Sequence, residues 1–377
     1  MDLNCIAKTH FNDGMEIVYF HEGIVLFEST KYKEAISSFE KALSIKNDFE
    51  MAYFKKGHCL FRLAKYSQSL EFIDESLKIN DKLLPALVCK GFVLLKMGKK
   101  EEAINTFKRA DDINIDPRDK EALINKGLCL DGLSKYDLAI TFYQKQIEQE
   151  PMDLAWLYMG NAFWALDKKT KALECYNKAI ELNKNNFSIV VSKGLLLKSL
   201  KQNQEAVDCF EAVLAINPNN EFVLKEIAIC LYDLNRYTSL IEYLNKLLKL
   251  NKEDCDLYDL KSRAYWYLKK PNRAIECIDQ AIKMDDKCLD AYSLKAAYFA
   301  ELGNNEKCID CCNSFLAIDP NDTIILYMKG VALQKLNKKK EARIWLNKAI
   351  KLNPDKENKE IIQTKQKVLD KINQRFL

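Results

Sequence analysis

One spacing constrains this chain more than any other feature. A small residue returns at Gly23, Gly57, Gly91, Gly127, Gly160, Gly194, Ala228, Ser262, Ala296 and Gly330, at intervals of 34, 34, 36, 33, 34, 34, 34, 34 and 34 residues. A fixed period of this length marks an array of one supersecondary unit, because a single unit cannot bury its apolar face and must stack on its neighbours. The unit is fullest in Trp156-Leu-Tyr-Met-Gly160-Asn-Ala-Phe163, followed by Ala172-Leu-Glu-Cys-Tyr176-Asn-Lys-Ala179. Twelve residues after the first small residue stands a second: Ala35, Ser69, Ala103, Ala139, Ala172, Ala206, Ala274, Cys308 and Ala342, with Leu240 breaking the column. Four later comes an apolar residue: Phe39, Ile73, Phe107, Tyr143, Tyr176, Phe210, Leu244, Ile278, Cys312 and Leu346.

Within a unit the apolar positions recur at three and four, as in Ala155 to Leu166, which is helical period. Short polar links such as Leu133-Ser-Lys-Tyr136 and Leu302-Gly-Asn-Asn305 separate two such stretches, so each unit reads as two antiparallel helices. Gly160 and Ala172 are expected to be small because the two helix backbones approach closely there. Pro151, Pro218, Pro320 and Pro354 end several units, where a residue without a backbone donor stops the second helix.

Composition agrees with a mostly helical chain, since Gly and Pro number only 11 and 7. The 58 basic residues against 54 acidic leave a net charge of +4, which argues against nucleic acid as the main partner. No apolar run approaches a membrane span. The start, Met1-Asp-Leu-Asn-Cys-Ile-Ala-Lys, lacks a basic region followed by an apolar block, so no signal peptide is expected and a cytoplasmic location is the default. Thirteen Cys without an export signal read as reduced thiols.

These residues resemble the tetratricopeptide repeat family, with ten units in register from about Glu16 to Pro354. The resemblance implies an all-α fold: a right-handed α-solenoid, or superhelix, of stacked helix pairs whose first helices line a concave groove. Three departures are visible. Asp111-Asp-Ile-Asn-Ile-Asp-Pro117-Arg-Asp inserts two residues after the third repeat. Gln146 replaces a small residue in the fourth repeat, and Leu240 and Leu247 do so in the seventh. Irregular stacking without a domain break is expected at these places. Residues 355–377 are expected to form a C-terminal capping helix, with Ile361, Ile362, Val368, Leu369, Ile372 and Phe376 as its stripe. Residues 1–15 read as a short cap or an arm.

Few residues suggest chemistry. Cys308-Ile-Asp-Cys311-Cys312 has a spacing that can ligate zinc or form a redox pair, but these positions fall in core columns, where Cys acts as a small apolar filler. His10, His21 and His58 accompany no nucleophile motif, and the Gly residues form no phosphate loop. No catalytic residue, metal or cofactor is expected. Lys56, Lys90, Lys126, Lys193, Lys261, Lys295 and Lys329 stand just before the small residue, as a basic ridge or as flank positions whose stems cover the core edge.

In the geometry the resemblance implies, positions six and three before the small residue, and one and four after it, face the groove. The first three repeats place Ile17, Phe20, Ile24, Phe27; Met51, Phe54, His58, Phe61; and Pro85, Val88, Phe92, Leu95 there, eleven of the twelve apolar. Trp164 and Tyr232 are further anchors. Repeats eight and nine place Asp256, Asp259, Arg263, Trp266, Asp290, Ser293, Ala297 and Ala300, a wetter and more acidic set. An exposed apolar patch marks an interaction surface. The expectation is a non-enzymatic protein-binding scaffold holding an apolar or amphipathic segment of a partner protein, with a basic flank reaching Asp256, Asp259 and Asp290. The alternatives are a homo-oligomer packing through the apolar N-terminal repeats, residues 1–15 covering the patch, and a targeting subunit of an enzyme. Two binding modes of the family are missing. The places of the chaperone-tail clamp read Phe20, Ile24, Lys55, Pro85 and Cys89, and the Asn ladder of sugar-transferase relatives reads His21, Lys55, Cys89, Asn125, Tyr158 and Ser192.

Overall fold

The computed structural model describes residues 14–251 and 254–352, so the expected arm is outside the described residues up to residue 13, and the expected capping helix is wholly outside them. Every described element is a helix, in ten pairs. The first five pairs are α1 (Met15–Glu28) and α2 (Tyr32–Ile45), α3 (Glu50–Arg62) and α4 (Tyr66–Ile79), α5 (Leu84–Lys96) and α6 (Lys100–Asp111), α7 (Lys120–Gly132) and α8 (Tyr136–Gln149), and α9 (Asp153–Ala165) and α10 (Lys169–Leu182). The rest are α11 (Phe187–Ser199) and α12 (Asn203–Leu214), α13 (Glu221–Asp233) and α14 (Tyr237–Leu250), α15 (Cys255–Tyr267) and α16 (Pro271–Met284), α17 (Leu289–Glu301) and α18 (Asn305–Ile318), and α19 (Thr323–Lys335) and α20 (Lys339–Leu352). The fold class is an all-α helical-repeat solenoid. Two compact units divide it, residues 1–196 and 197–377.

The small column has a different cause from backbone approach alone. A Cβ added at Gly23 would lie 2.5 Å from the Phe39 ring, at Gly91 2.5 Å from Phe107, at Gly127 2.3 Å from Tyr143 and at Gly160 2.7 Å from Tyr176. The glycine is a seat for the large residue sixteen positions later. Sequence volume follows this rule: wherever that later residue is Phe or Tyr the seat is Gly, whereas Ala228, Ser262 and Ala296 stand opposite Leu244, Ile278 and Cys312. At Gly57 and Gly330, opposite Ile73 and Leu346, backbone also crowds the site, with the Ser69 carbonyl at 3.1 Å from the first and the Leu346 amide nitrogen at 3.3 Å from the second. Ser69 Oγ there donates to the Gly57 carbonyl at 2.7 Å.

The turn inside each pair is one device repeated. Thr30, Ala64, Gly98, Ser134, Asp167, Lys201, Asn235, Lys269, Gly303 and Asn337 all have positive φ, each seven residues after the small column. The next residue donates back into the first helix, as Lys31 N to Leu26 O and Lys65 N to Leu60 O, both at 2.9 Å. This is a left-handed cap that satisfies carbonyls the helix end would orphan. Pro151, Pro218 and Pro320 fall just beyond α8, α12 and α18, as expected.

In unit 1, successive first helices α1, α3, α5, α7 and α9 also touch one another, and the second helices make no comparable contact among the described residues. Unit 1 therefore curves toward its first helices. The insertion after α6 is tied down by Lys126, whose ammonium meets the Asp111 carboxylate at 3.1 Å and the Ile113 carbonyl at 3.3 Å. Gln146 is fully buried, its amide donating to the Glu150 carbonyl at 3.0 Å. Leu240 and Leu247 are buried in the core of the seventh repeat.

Candidate functional site

The first helices of unit 1 carry three groups of ring contacts. Phe20 contacts Phe39 and Phe49, with centroids 5.7 and 4.8 Å apart. His58 is the hub of the next group, 4.8 Å from Phe27, 5.8 Å from Phe54 and 6.4 Å from Phe61. Phe92 stands edge-on to Phe107 at 5.2 Å. These spacings suit aromatic pairs, whose ring edges favour neighbouring faces. Lys55 lies over Phe54 and Phe27, at 5.5 and 5.9 Å.

The twelve positions are not equally available. Phe54 and Val88 are 4% and 3% exposed, so they form floor rather than contact surface. Phe20, Ile24, Phe27, Met51, His58, Phe61, Pro85 and Phe92 are half-buried. Ile17 at 50% and Leu95 at 36% are open to solvent. Burial pushes His58 down to about 3, helped by the charges of Lys55 and Arg62, and its Nδ1 has no hydrogen-bond partner. A neutral imidazole with an idle nitrogen is a polar point in an otherwise apolar floor.

Further along unit 1 the same columns turn polar. Tyr143 donates to Asp131 Oδ2 at 2.5 Å, and Tyr176 donates to Asn161 Oδ1 at 2.7 Å. Burial pushes Asp131 up to about 7, against the pull of the Tyr143 hydroxyl. Trp164, four residues after Gly160, is half-buried. The column rules reach Asp131 and Asn161 on the first helix and Tyr143 and Tyr176 on the second, but the spacing does not show that their side chains pair.

In unit 2, Tyr232 is half-buried among Tyr237 and Tyr267, with centroids 6.1 and 6.3 Å away. Trp266 is stacked on Tyr298 at 3.9 Å and 3°. Asp256 is exposed, while Asp259 and Asp290 are half-buried. Asp259 Oδ2 accepts from Arg263 Nε at 2.8 Å, and Arg263 is buried. Burial holds the Asp259 carboxyl above its usual range, as do Asp290 and Asp256, against the attraction of Arg263. A concavity of about 290 Å³ opens between α13 and α15. It includes Lys225, Ile229 and Tyr232, which the groove columns of repeat seven identify, together with Leu260 and Asp233, which those columns miss.

Five of the seven lysines of the Lys column, Lys56, Lys90, Lys126, Lys295 and Lys329, are engaged. Lys56, Lys90 and Lys295 meet Glu40, Asp74 and Asp279 of the preceding second helix at 2.8, 2.6 and 2.6 Å. Lys56 and Lys329 also lie over Phe72 and Trp345, at 3.8 and 3.4 Å. The ion pairs of Lys56, Lys90 and Lys295 join one repeat to the one before it, whereas the ring contacts of Lys56 and Lys329 lie within a repeat. Cys308, Cys311 and Cys312 are buried in the core cluster of α17 to α19, and burial pushes Cys311 up to about 11.

Stacked helix pairs, first helices touching along one side and a half-exposed, ring-rich face define a repeat scaffold of the kind that mediates protein–protein interaction. Models described as tetratricopeptide repeat match residues 91–151, 154–186, 188–220, 256–288 and 324–356. One described as anaphase-promoting complex, cyclosome, subunit 3 matches residues 28–110. The chain belongs to the tetratricopeptide repeat family. No curated protein sequence matches it significantly. Among solved structures, the C-terminal part of a repeat-containing protein from Cytophaga hutchinsonii is 18% identical, covering 64% of this chain and 98% of that one, with a TM-score of 0.52. The yeast Tom70 is 14% identical, covering 96% and 95%, with a TM-score of 0.37. A chain of the APC/C hetero-tetramer Cut9-Hcn1 is 14% identical, covering 84% and 75%, with a TM-score of 0.44. The likeness is one of fold. Among the described residues no helix is long and apolar enough to cross a membrane.

Proposed function

We propose that the chain is a non-enzymatic adaptor that holds an apolar or amphipathic segment of a partner protein on the first-helix face of repeats one to three. One observation carries this reading. Ile17, Phe20, Ile24, Phe27, Met51, Phe61, Phe92 and Leu95 stay partly or fully exposed on helices that touch along one side, over the buried floor of Phe54 and Val88. Half-buried rings backed by a packed floor are rigid, so little side-chain entropy is lost when an apolar segment covers them. The match of residues 28–110 to an assembly subunit's model supports a role inside a protein complex. Free thiols, most of them buried, support a cytoplasmic setting.

The test uses the exposed pair, because a charge at buried Phe54 would unfold the repeat. Ile17→Asp with Leu95→Asp should keep the helical circular dichroism spectrum and lose proteins that the unaltered chain retains from native lysate. An unchanged retained set would sink the groove assignment. A second reading is favoured by Val18 and Val25, both exposed on α1. They suit a second copy of the chain packing against the end of the array. Sedimentation at micromolar concentration separates the two readings: a persistent monomer removes this one.

A further inference from the structure

We propose that the concavity between α13 and α15 is a receptor for an arginine or lysine side chain of a partner protein. This extends the partner-binding reading to unit 2, and it does not depend on the apolar face of unit 1. The walls come first. Ile229 and Tyr232 of α13 face Leu257 and Leu260 of α15 across a space of about 290 Å³. Such a wall suits the methylene stem of a long side chain.

The charge around the space is unbalanced. Asp233, Asp254, Asp256 and Asp259 line it against Lys225 and Arg263. Both cations are already committed to carboxylates. Lys225 bridges Glu221 and Asp254 at 2.9 and 3.5 Å, and Arg263 holds Asp259 Oδ2 at 2.8 Å. The other oxygen of that carboxylate, Asp259 Oδ1, is buried and has no hydrogen-bond partner. Asp256 at the mouth is exposed, and Asp290 adds a further negative charge near Asp259.

These facts select the occupant. An anion would meet a surplus of carboxylates. An apolar side chain would fit the walls but leave Asp259 Oδ1 without its bond, and a buried acceptor left unmade is unfavourable. A metal ion finds no group of three ligands there among the described residues. A guanidinium or ammonium on an aliphatic stem satisfies both parts. Its stem lies on Tyr232 and Ile229, and its head donates to the idle oxygen in a charge-assisted bond.

The experiment titrates the full chain with N-acetyl-arginine methylamide, followed by saturation transfer from protein to the probe's side-chain methylenes. N-acetyl-citrulline methylamide keeps the shape without the charge. The expected result is transfer to the arginine probe, with affinity at least about tenfold above the citrulline probe. Exposed Asp256→Asn should weaken arginine binding severalfold. Ile229→Lys, also at an exposed position, places a tethered ammonium in the space and should abolish binding while the far-ultraviolet spectrum stays unchanged. Equal binding of the two probes, no binding of either at millimolar concentration, or binding that survives Ile229→Lys would each overturn the proposal. The unit 1 experiment reads Ile17 and Leu95, so failure of one reading is distinguishable from failure of the other.

Discussion

Substituting Gly91 by Ala tests the physical rule that builds the repeat. A helix interior normally gains about 1 kcal/mol from this change, because Ala loses less backbone freedom than Gly. Here the added Cβ would sit 2.5 Å from two atoms of the Phe107 ring. Ordinary carbon contacts are about 3.5–4.0 Å, so the ring must move by about 1 Å or more. Its movement is limited, because the same ring also abuts Gly132, whose added Cβ would be 2.4 Å from it. Overpacking of this kind costs about 1–3 kcal/mol, and the two-sided seat argues for the upper end. The expected net effect is a loss of about 2 kcal/mol. Trimming the ring should reverse the sign. In a Phe107→Leu background the same Ala should be neutral or stabilising; the seventh repeat already pairs Ala228 with Leu244. The cycle should therefore show a coupling of about 2–3 kcal/mol. Urea unfolding by circular dichroism gives the totals. Amide exchange in α5 and α6 localises them, since a repeat array can unfold in parts. If Gly91→Ala stabilises the unaltered chain, or if the cycle closes to within about 0.5 kcal/mol, the seat rule is wrong.

Other expectations follow from particular residues. Ala64 is held at φ 58° in the turn after α3, so Ala64→Gly should raise stability by about 1 kcal/mol in the same urea assay, and a decrease would contradict the strain assigned there. His58 is held neutral, with its value lowered from 6.5 to about 3, so the native state binds fewer protons than the unfolded chain in that window. Its contribution is present above about 6.5 and is lost as pH falls toward 3, and His58→Phe should flatten the urea midpoint between pH 7 and 4. Asp131 behaves oppositely. Raised from 3.8 to about 7, it keeps its proton in the native state while the unfolded chain releases it, so stability falls as pH rises through that window and levels off above it. Asp131→Asn should add about 2–4 kcal/mol at pH 8 and nothing below pH 4, and an equal effect at both pH values would refute the assignment.

The architecture was legible because the repeat writes it ten times. The columns fix the pairs, and α1 begins at Met15, one residue before the expected start at Glu16. What stayed hidden needs the third dimension. The spacing shows that Gly91 is small and Phe107 is large, but not that one ring rests on two glycines. The left-handed turns went unread because most lack the usual residue: Ala64, Lys201 and Lys269 stand where Gly or Asn would signal a cap. The Lys column was split between an open ridge and a wet flank, and pairing with the preceding repeat was foreseen by neither, since the partner lies sixteen residues upstream on another helix.

The same limit explains the candidate surfaces. A helical period says which side of a helix a residue occupies, but not how deep it lies once neighbours stack. Phe54 and Phe61 occupy equivalent groove columns, yet Phe54 is covered and Phe61 is half-open. The difference is a matter of neighbours: Phe54 belongs to the core cluster of repeats two to four, whereas Phe61 packs at its edge. Depth then decides chemistry. Asp256 and Asp259 lie three residues apart on α15, and the deeper Asp259 has an ion pair with Arg263, an idle oxygen and a raised affinity for its proton. A partner with a basic side chain would meet the exposed carboxylate first and the buried one last. On the proposal above, charge at the mouth would govern encounter, and the inner oxygen would govern how long the side chain stays.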